Sequence, residues 1–250
     1  MTMQNLSQQS VSTYHTLRLS LAVLAISFPI VLAIGAYLSA GLPLAGSLSE
    51  YYHYFDVTKQ EYGKGVMRDA LVAFLCAQGA LLFAYKGFTR LEDYALNIAG
   101  FMAVGLALVP MRWPAPSAID PFTPHGVFAG IFFVSIAYVC IWRAKDTLSL
   151  IADEKLRKNY ARVYKILGVA MLVLPLIVWG LVSFLQLKKS LIFFIEAASI
   201  YTFAAYWLIK TSEAKISELD QKAAAGELSV PSHTLKNMFS NLPVQQTSRT

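Results

Sequence analysis

Two imidazoles and two carboxylates carry most of the reactive capacity of this sequence: His53, His125, Asp69 and Glu196. An imidazole pair with carboxylates suits zinc coordination or general acid–base work. Glu196 stands out because it lies inside an apolar run, seven residues beyond Lys189. A carboxylate there costs about 2.5–3.5 kcal/mol on insertion scales, and such groups face a cavity or a partner. A titrating role, a metal-ligand role and a structural pairing with Arg68, Arg112 or a tyrosine are all open to it. His53 belongs to the stretch SLSEYYHYFD (47–56), which gathers Ser49, Asp56 and three tyrosines between two apolar runs. Tyr51, Tyr52 and Tyr54, with Trp113 and Phe122, read as an aromatic belt at headgroup level. The spacing H-E-x-x-H is absent, as are a G-x-S-x-G elbow, a Cys-x-x-Cys pair and a phosphate-binding glycine loop.

These residues must be positioned by membrane helices. Of the 250 residues, 56% are hydrophobic and only 14% charged, against roughly 25% charged in soluble proteins. Charge-free windows run over 19–49, 70–85, 94–111, 121–142 and 166–187, and 190–209 contains one charge, Glu196. A crossing helix needs about 20 apolar residues. The shorter windows end at Lys86, Arg90 and Arg112, whose long side chains can snorkel to the interface. The expected architecture is all-α, a polytopic bundle of six spans at about 17–41, 69–88, 94–112, 124–143, 164–187 and 190–210. A segment 1–16 precedes it and a polar tail, 211–250, follows as a short helical extension and then disorder. The net charge of +6 does not indicate nucleic acid, since the basic residues flank apolar spans. Cys76 and Cys140 fall within spans and read as small buried hydrophobes.

With the N-terminus in the cytoplasm, fifteen Lys and Arg residues fall on that side and six on the other. The positive-inside rule then puts both termini in the cytoplasm of an inner membrane. The even-numbered spans start at the outer face, so Asp69, His125 and Glu196 should meet the first outer loop with Ser49 and His53. Pro29 and Pro175 lie within spans one and five and should bend them. Gly126 and Gly130, and Gly100 and Gly105, should admit close helix approach. Gln78 and Ser135 should form interhelical hydrogen bonds. Glu92 and Asp93 should clasp Lys86 and Arg90 across a short turn.

The run 47–142 resembles a family of bacterial six-span membrane proteins without an assigned activity. The residues carrying the likeness are Ser49-x-Tyr51-Tyr52, Arg68-Asp69, Tyr85-Lys86-Gly87-Phe88, Asp93-x-x-x-Asn97-x-Ala99-Gly100 and His125. The resemblance implies the topology and no reaction. More distantly, the chain is similar to the membrane hydrolase superfamily of alkaline ceramidases and adiponectin receptors. Those proteins hold zinc with Ser-x-x-x-His, an Asp and His-x-x-x-His. Ser49 and His53 have the first spacing, and Asp56 or Asp69 would be the carboxylate. The chain departs in having six spans instead of seven and no His-x-x-x-His, with Glu196 where imidazoles would stand.

The favoured expectation is a membrane protein with an outward polar pocket for a lipid or small solute. Its partners would be membrane lipids and a second copy or another membrane protein. One alternative is a metal-dependent hydrolase of lipid amides or esters, with zinc on His53, His125, Asp69 and Glu196. Another is a proton-coupled transporter in which Glu196 titrates.

Overall fold

The computed structural model describes residues 3–53, 65–112, 122–185 and 189–228. Among these there is no strand, and six helices are long and apolar enough to cross a membrane. This is a multi-pass membrane protein built as an all-α bundle. The helices are α1 (Met3–Ala40), α2 (Val66–Ala84), α3 (Arg90–Leu108), α4 (Pro124–Tyr138), α5 (Glu154–Leu185), α6 (Lys189–Ile216) and a short α7 (Leu219–Ala224). A π turn (Val139–Arg143) and a 3-10 turn (Ala144–Leu150) prolong α4.

Some boundaries differ from the charge-window reading, and local chemistry gives the reason. Helix α3 begins at Arg90 because Thr89 caps it, its hydroxyl accepting from the Glu92 amide at 3.3 Å. Glu92 Oε2 reaches back to accept from the Phe88 amide at 2.8 Å, a close relative of the capping box. Charges that looked like loop are the first turn of a helix. Segment 1–16 is likewise no separate element, since α1 runs continuously from Met3. Pro29 and Pro175 both lie inside continuous helices. Asp56, Tyr54, Trp113 and the tail beyond 228 lie outside the described residues.

The spans pack in chain order, each against the next, and α6 returns against α1 to close the ring; α7 folds back onto α1. Outward faces carry large apolar side chains such as Ile34, Phe101, Val134, Ile166 and Phe194, as lipid contact requires. Helices α2 and α3 approach most closely at Gly79 and Gly100. A Cβ on Gly79 would stand 2.7 Å from the Gly100 carbonyl oxygen, and the converse distance is also 2.7 Å. Gly105 makes room for the Phe128 ring. Gly130 does not take part in the expected close approach: nothing lies within 4 Å of where its Cβ would be.

At the end of the bundle opposite residues 45–53, charges are buried in pairs. Arg18 Nη1 donates to Asp220 Oδ1 at 3.1 Å and Nη2 to Oδ2, tying α7 to α1. Lys210 donates to Glu213 Oε2 at 2.6 Å and to Thr147 Oγ1 at 2.7 Å. Tyr164 donates to the same Glu213 oxygen at 3.3 Å. Lys86 pairs with Asp93 at 3.5 Å, as the clasp reading expects, but Glu92 is buried as a cap.

Two stability outcomes follow. Gly79→Leu should lower stability by about 1–3 kcal/mol, the usual effect of overpacking, whereas Gly130→Ala should be neutral or stabilising by up to about 1 kcal/mol; thermal unfolding in detergent measures both. Asp220→Ala leaves Arg18 buried without its partner and should destabilise by about 3–5 kcal/mol, read in the same assay.

Candidate functional site

The chain leaves α1 at Gly41, whose φ of 63° is left-handed and favours glycine. It then lies across the end of the bundle as a short loop that closes with a 3-10 turn, Ser49–His53. Its own side chains shape it. The Gly46 amide donates to Glu50 Oε2 at 2.7 Å, and the Glu50 amide donates to Ser47 Oγ at 3.2 Å. The loop is bolted to α6 twice: Phe193 N–H donates to the Gly46 carbonyl at 3.0 Å, and Leu48 N–H donates to Glu196 Oε2 at 2.6 Å. Tyr51 is fully buried against Phe193, and its hydroxyl accepts from the Ala45 amide at 3.3 Å. Burial pushes the Tyr51 phenol above its ordinary range, so it remains a neutral acceptor. Tyr51 is thus a core residue of the loop and not part of an aromatic belt; Phe122, by contrast, is exposed.

The two histidines come from different elements and grip the same short segment. His125 is the second residue of α4, whose start is set by the Thr123 cap and by Pro124. Its Nδ1 is 2.8 Å from the Val109 carbonyl, where α3 ends. His53 Nε2 is 2.9 Å from the Met111 carbonyl. A carbonyl only accepts, so in each ring that nitrogen carries the proton and donates. With Nδ1 of neutral His125 protonated, Nε2 has the lone pair, and the Ser49 hydroxyl lies 3.0 Å from it.

Beneath this loop lies a cavity of about 110 Å³ inside the ring of helices. Phe28 of α1, Leu71 and Phe74 of α2, Ala103 of α3, Ala129 and Phe132 of α4, and Ile200 of α6 form its apolar wall. Ser49, His125 and Glu196 line it, and so does Gln78, whose Nε2 donates to the Leu21 carbonyl of α1 at 3.2 Å. That interhelical bond is the one expected for Gln78.

Three of the four sequence candidates therefore collect around the loop. His125 and Glu196 line the cavity, and His53 clamps the chain beside it. Asp69 does not join them: it is exposed in the first turn of α2 and pairs with its neighbour Arg68 at 3.1 Å. Glu196 takes a backbone amide as its partner, not Arg68, Arg112 or a tyrosine. The set His53, His125, Asp69 and Glu196 is not assembled as metal ligands, and among the described residues no three His, Cys, Asp or Glu side chains are. Cys140 is buried and Cys76 partly so; both are free thiols.

Sequence reasoning missed Ser49 as the partner of His125, because the two are 76 positions apart. It also missed the buried Lys210–Glu213 pair, which straddles the expected boundary between span six and the polar tail. The available signal was their three-residue spacing, which puts both on one helix face, directly after the buried Tyr206 and Trp207.

Compared with known proteins, the chain matches no family model, no curated protein and no solved structure. The likeness noted from motifs therefore stands on the quoted residues alone.

Removing the Glu196 acceptor exposes how the loop is held. A buried donor left without a partner costs about 1–3 kcal/mol. Amide exchange over residues 46–52 should quicken roughly tenfold or more in Glu196→Leu and stay near wild type in Glu196→Gln, whose side-chain oxygen still accepts. Hydrogen–deuterium exchange by mass spectrometry measures this.

Proposed function

We propose that this membrane protein binds a small apolar molecule, or the end of a lipid chain, in the cavity beneath the 45–53 loop. The polar end of the ligand would rest against Ser49, His125 and Glu196. The cavity itself carries the reading: about 110 Å³, walled by five helices and capped by a loop that polar bonds hold in place. An apolar cavity of roughly 150 Å³ admits benzene, so this one suits a group of about five or six carbon atoms. The polar groups at one end and the apolar wall elsewhere match the general form of ligand sites, in which a few polar side chains set orientation. A lipid supplies such a ligand from the bilayer without a soluble carrier.

The excess of Lys and Arg on the connections opposite this loop supports an outward-facing cavity, with both termini in the cytoplasm of an inner membrane. Membrane lipids are then the natural partners.

The test is binding of dihexanoylphosphatidylcholine to the full chain in nanodiscs, followed by titration calorimetry against empty discs. Saturable binding is expected in the wild type. Ala129→Trp, which fills the cavity from α4, should weaken it at least about tenfold while thermal unfolding shows the bundle intact. Equal binding by Ala129→Trp, or none by the wild type, would sink the proposal.

A further inference from the structure

The Ser49–His125 contact assigns a chemistry to the cavity that its shape alone does not. We propose that Ser49 is an acyl-accepting nucleophile and His125 its general base, acting on a carboxylic ester whose short acyl chain occupies the cavity. The proposal rests on the reading of that cavity as a ligand site and adds a reaction to it.

Three observations converge on it. The Ser49 hydroxyl and His125 Nε2 are 3.0 Å apart, within hydrogen-bond reach. The base is itself oriented by a third group, since Nδ1 donates to the Val109 carbonyl at 2.8 Å. That bond fixes the neutral tautomer with Nε2 free to take a proton. Nucleophile, base and orienting acceptor are the relation by which an activated serine is recognised, whatever the fold. Both reacting groups line one end of an apolar cavity, so an ester carbonyl resting at the mouth would place its acyl chain among Leu71, Phe74 and Phe132. The N-terminus of α4, which carries His125, brings partial positive charge to this end of the helix ring.

The steps balance with water as the only co-reactant. As Ser49 Oγ bonds to the acyl carbon, its proton passes to His125 Nε2. The bond from the acyl carbon to the alcohol oxygen breaks, and that oxygen leaves with the proton from Nε2. Water then gives a proton to Nε2 and its hydroxyl to the acyl carbon. Ser49 Oγ departs and recovers the proton, releasing a carboxylic acid and an alcohol.

The experiment treats the full chain in nanodiscs with a butyl fluorophosphonate and locates the adduct by peptide mass spectrometry. An adduct on Ser49 is expected, absent in Ser49→Ala. His125→Asn retains a side-chain amide able to donate to the Val109 carbonyl but has no base at the Nε2 position. Labelling should therefore slow by about 100-fold or more while the loop keeps its wild-type amide exchange. Hydrolysis of p-nitrophenyl butyrate should fall in both variants. An unlabelled wild type, an adduct on another residue, or an unchanged rate in His125→Asn would overturn the acyl step. If dihexanoylphosphatidylcholine still binds in that case, the cavity reading stands alone; if it does not, both fall.

Discussion

Hydrocarbon offers no hydrogen bonds, so the polar groups that hold this bundle together require partners within the chain. That requirement explains the placement of features that otherwise look unrelated. Glu196 near the start of α6 meets the Leu48 amide, and in doing so holds a loop across the helix ends. Gln78 reaches the Leu21 carbonyl and ties α2 to α1. Ser27, Ser199 and Thr202 turn back on the carbonyl four residues earlier. At the other end, Arg18 and Asp220 bind α7, and Lys210, Glu213, Thr147 and Tyr164 share one network. Polar satisfaction is here the means by which the connections are fixed.

The same requirement separates two kinds of polar cluster. In the Lys210–Glu213 network opposite charges meet directly, donor to acceptor, and the side chains are buried. Tyr85, at the end of α2, is packed beside Arg18 and Trp207. Such a cluster secures the bundle. At the loop end Ser49, the His125 imidazole and the Val109 carbonyl form a chain without a buried cation, opening on an apolar cavity that the Glu196 carboxyl also lines. A neutral imidazole lone pair facing a hydroxyl can move a proton, which a locked ion pair does less readily. That contrast is why the loop end, and not the more heavily charged end, is the candidate site.

Much of the architecture was legible from residue order, because a span is a local property. Charge-free runs of membrane length give helices wherever they occur, and all six windows hold a helix, although α1 and α5 begin well ahead of theirs, at Met3 and Glu154. The ends shifted where capping chemistry intervened, as at Thr89 and Glu92, since a cap depends on geometry that charge counting ignores. Glycine was legible only in part. Gly79 and Gly100 meet, while Gly130 in its G-x-x-x-G faces open space, because a spacing marks one helix face without saying which neighbour that face will meet.

For the site, the sequence by itself determined the residue types and the end of the bundle at which they collect: an even number of crossings brings His53, His125 and Glu196 to one boundary. Only the tertiary structure decided who touches whom. It set Ser49 against His125, gave Glu196 to a backbone amide and left Asp69 in the open beside Arg68. The reason is physical. Crossing a membrane is decided within some twenty consecutive residues, but a hydrogen bond needs atoms about 3 Å apart, and for groups 76 or 148 positions apart that distance is set by how the helices pack.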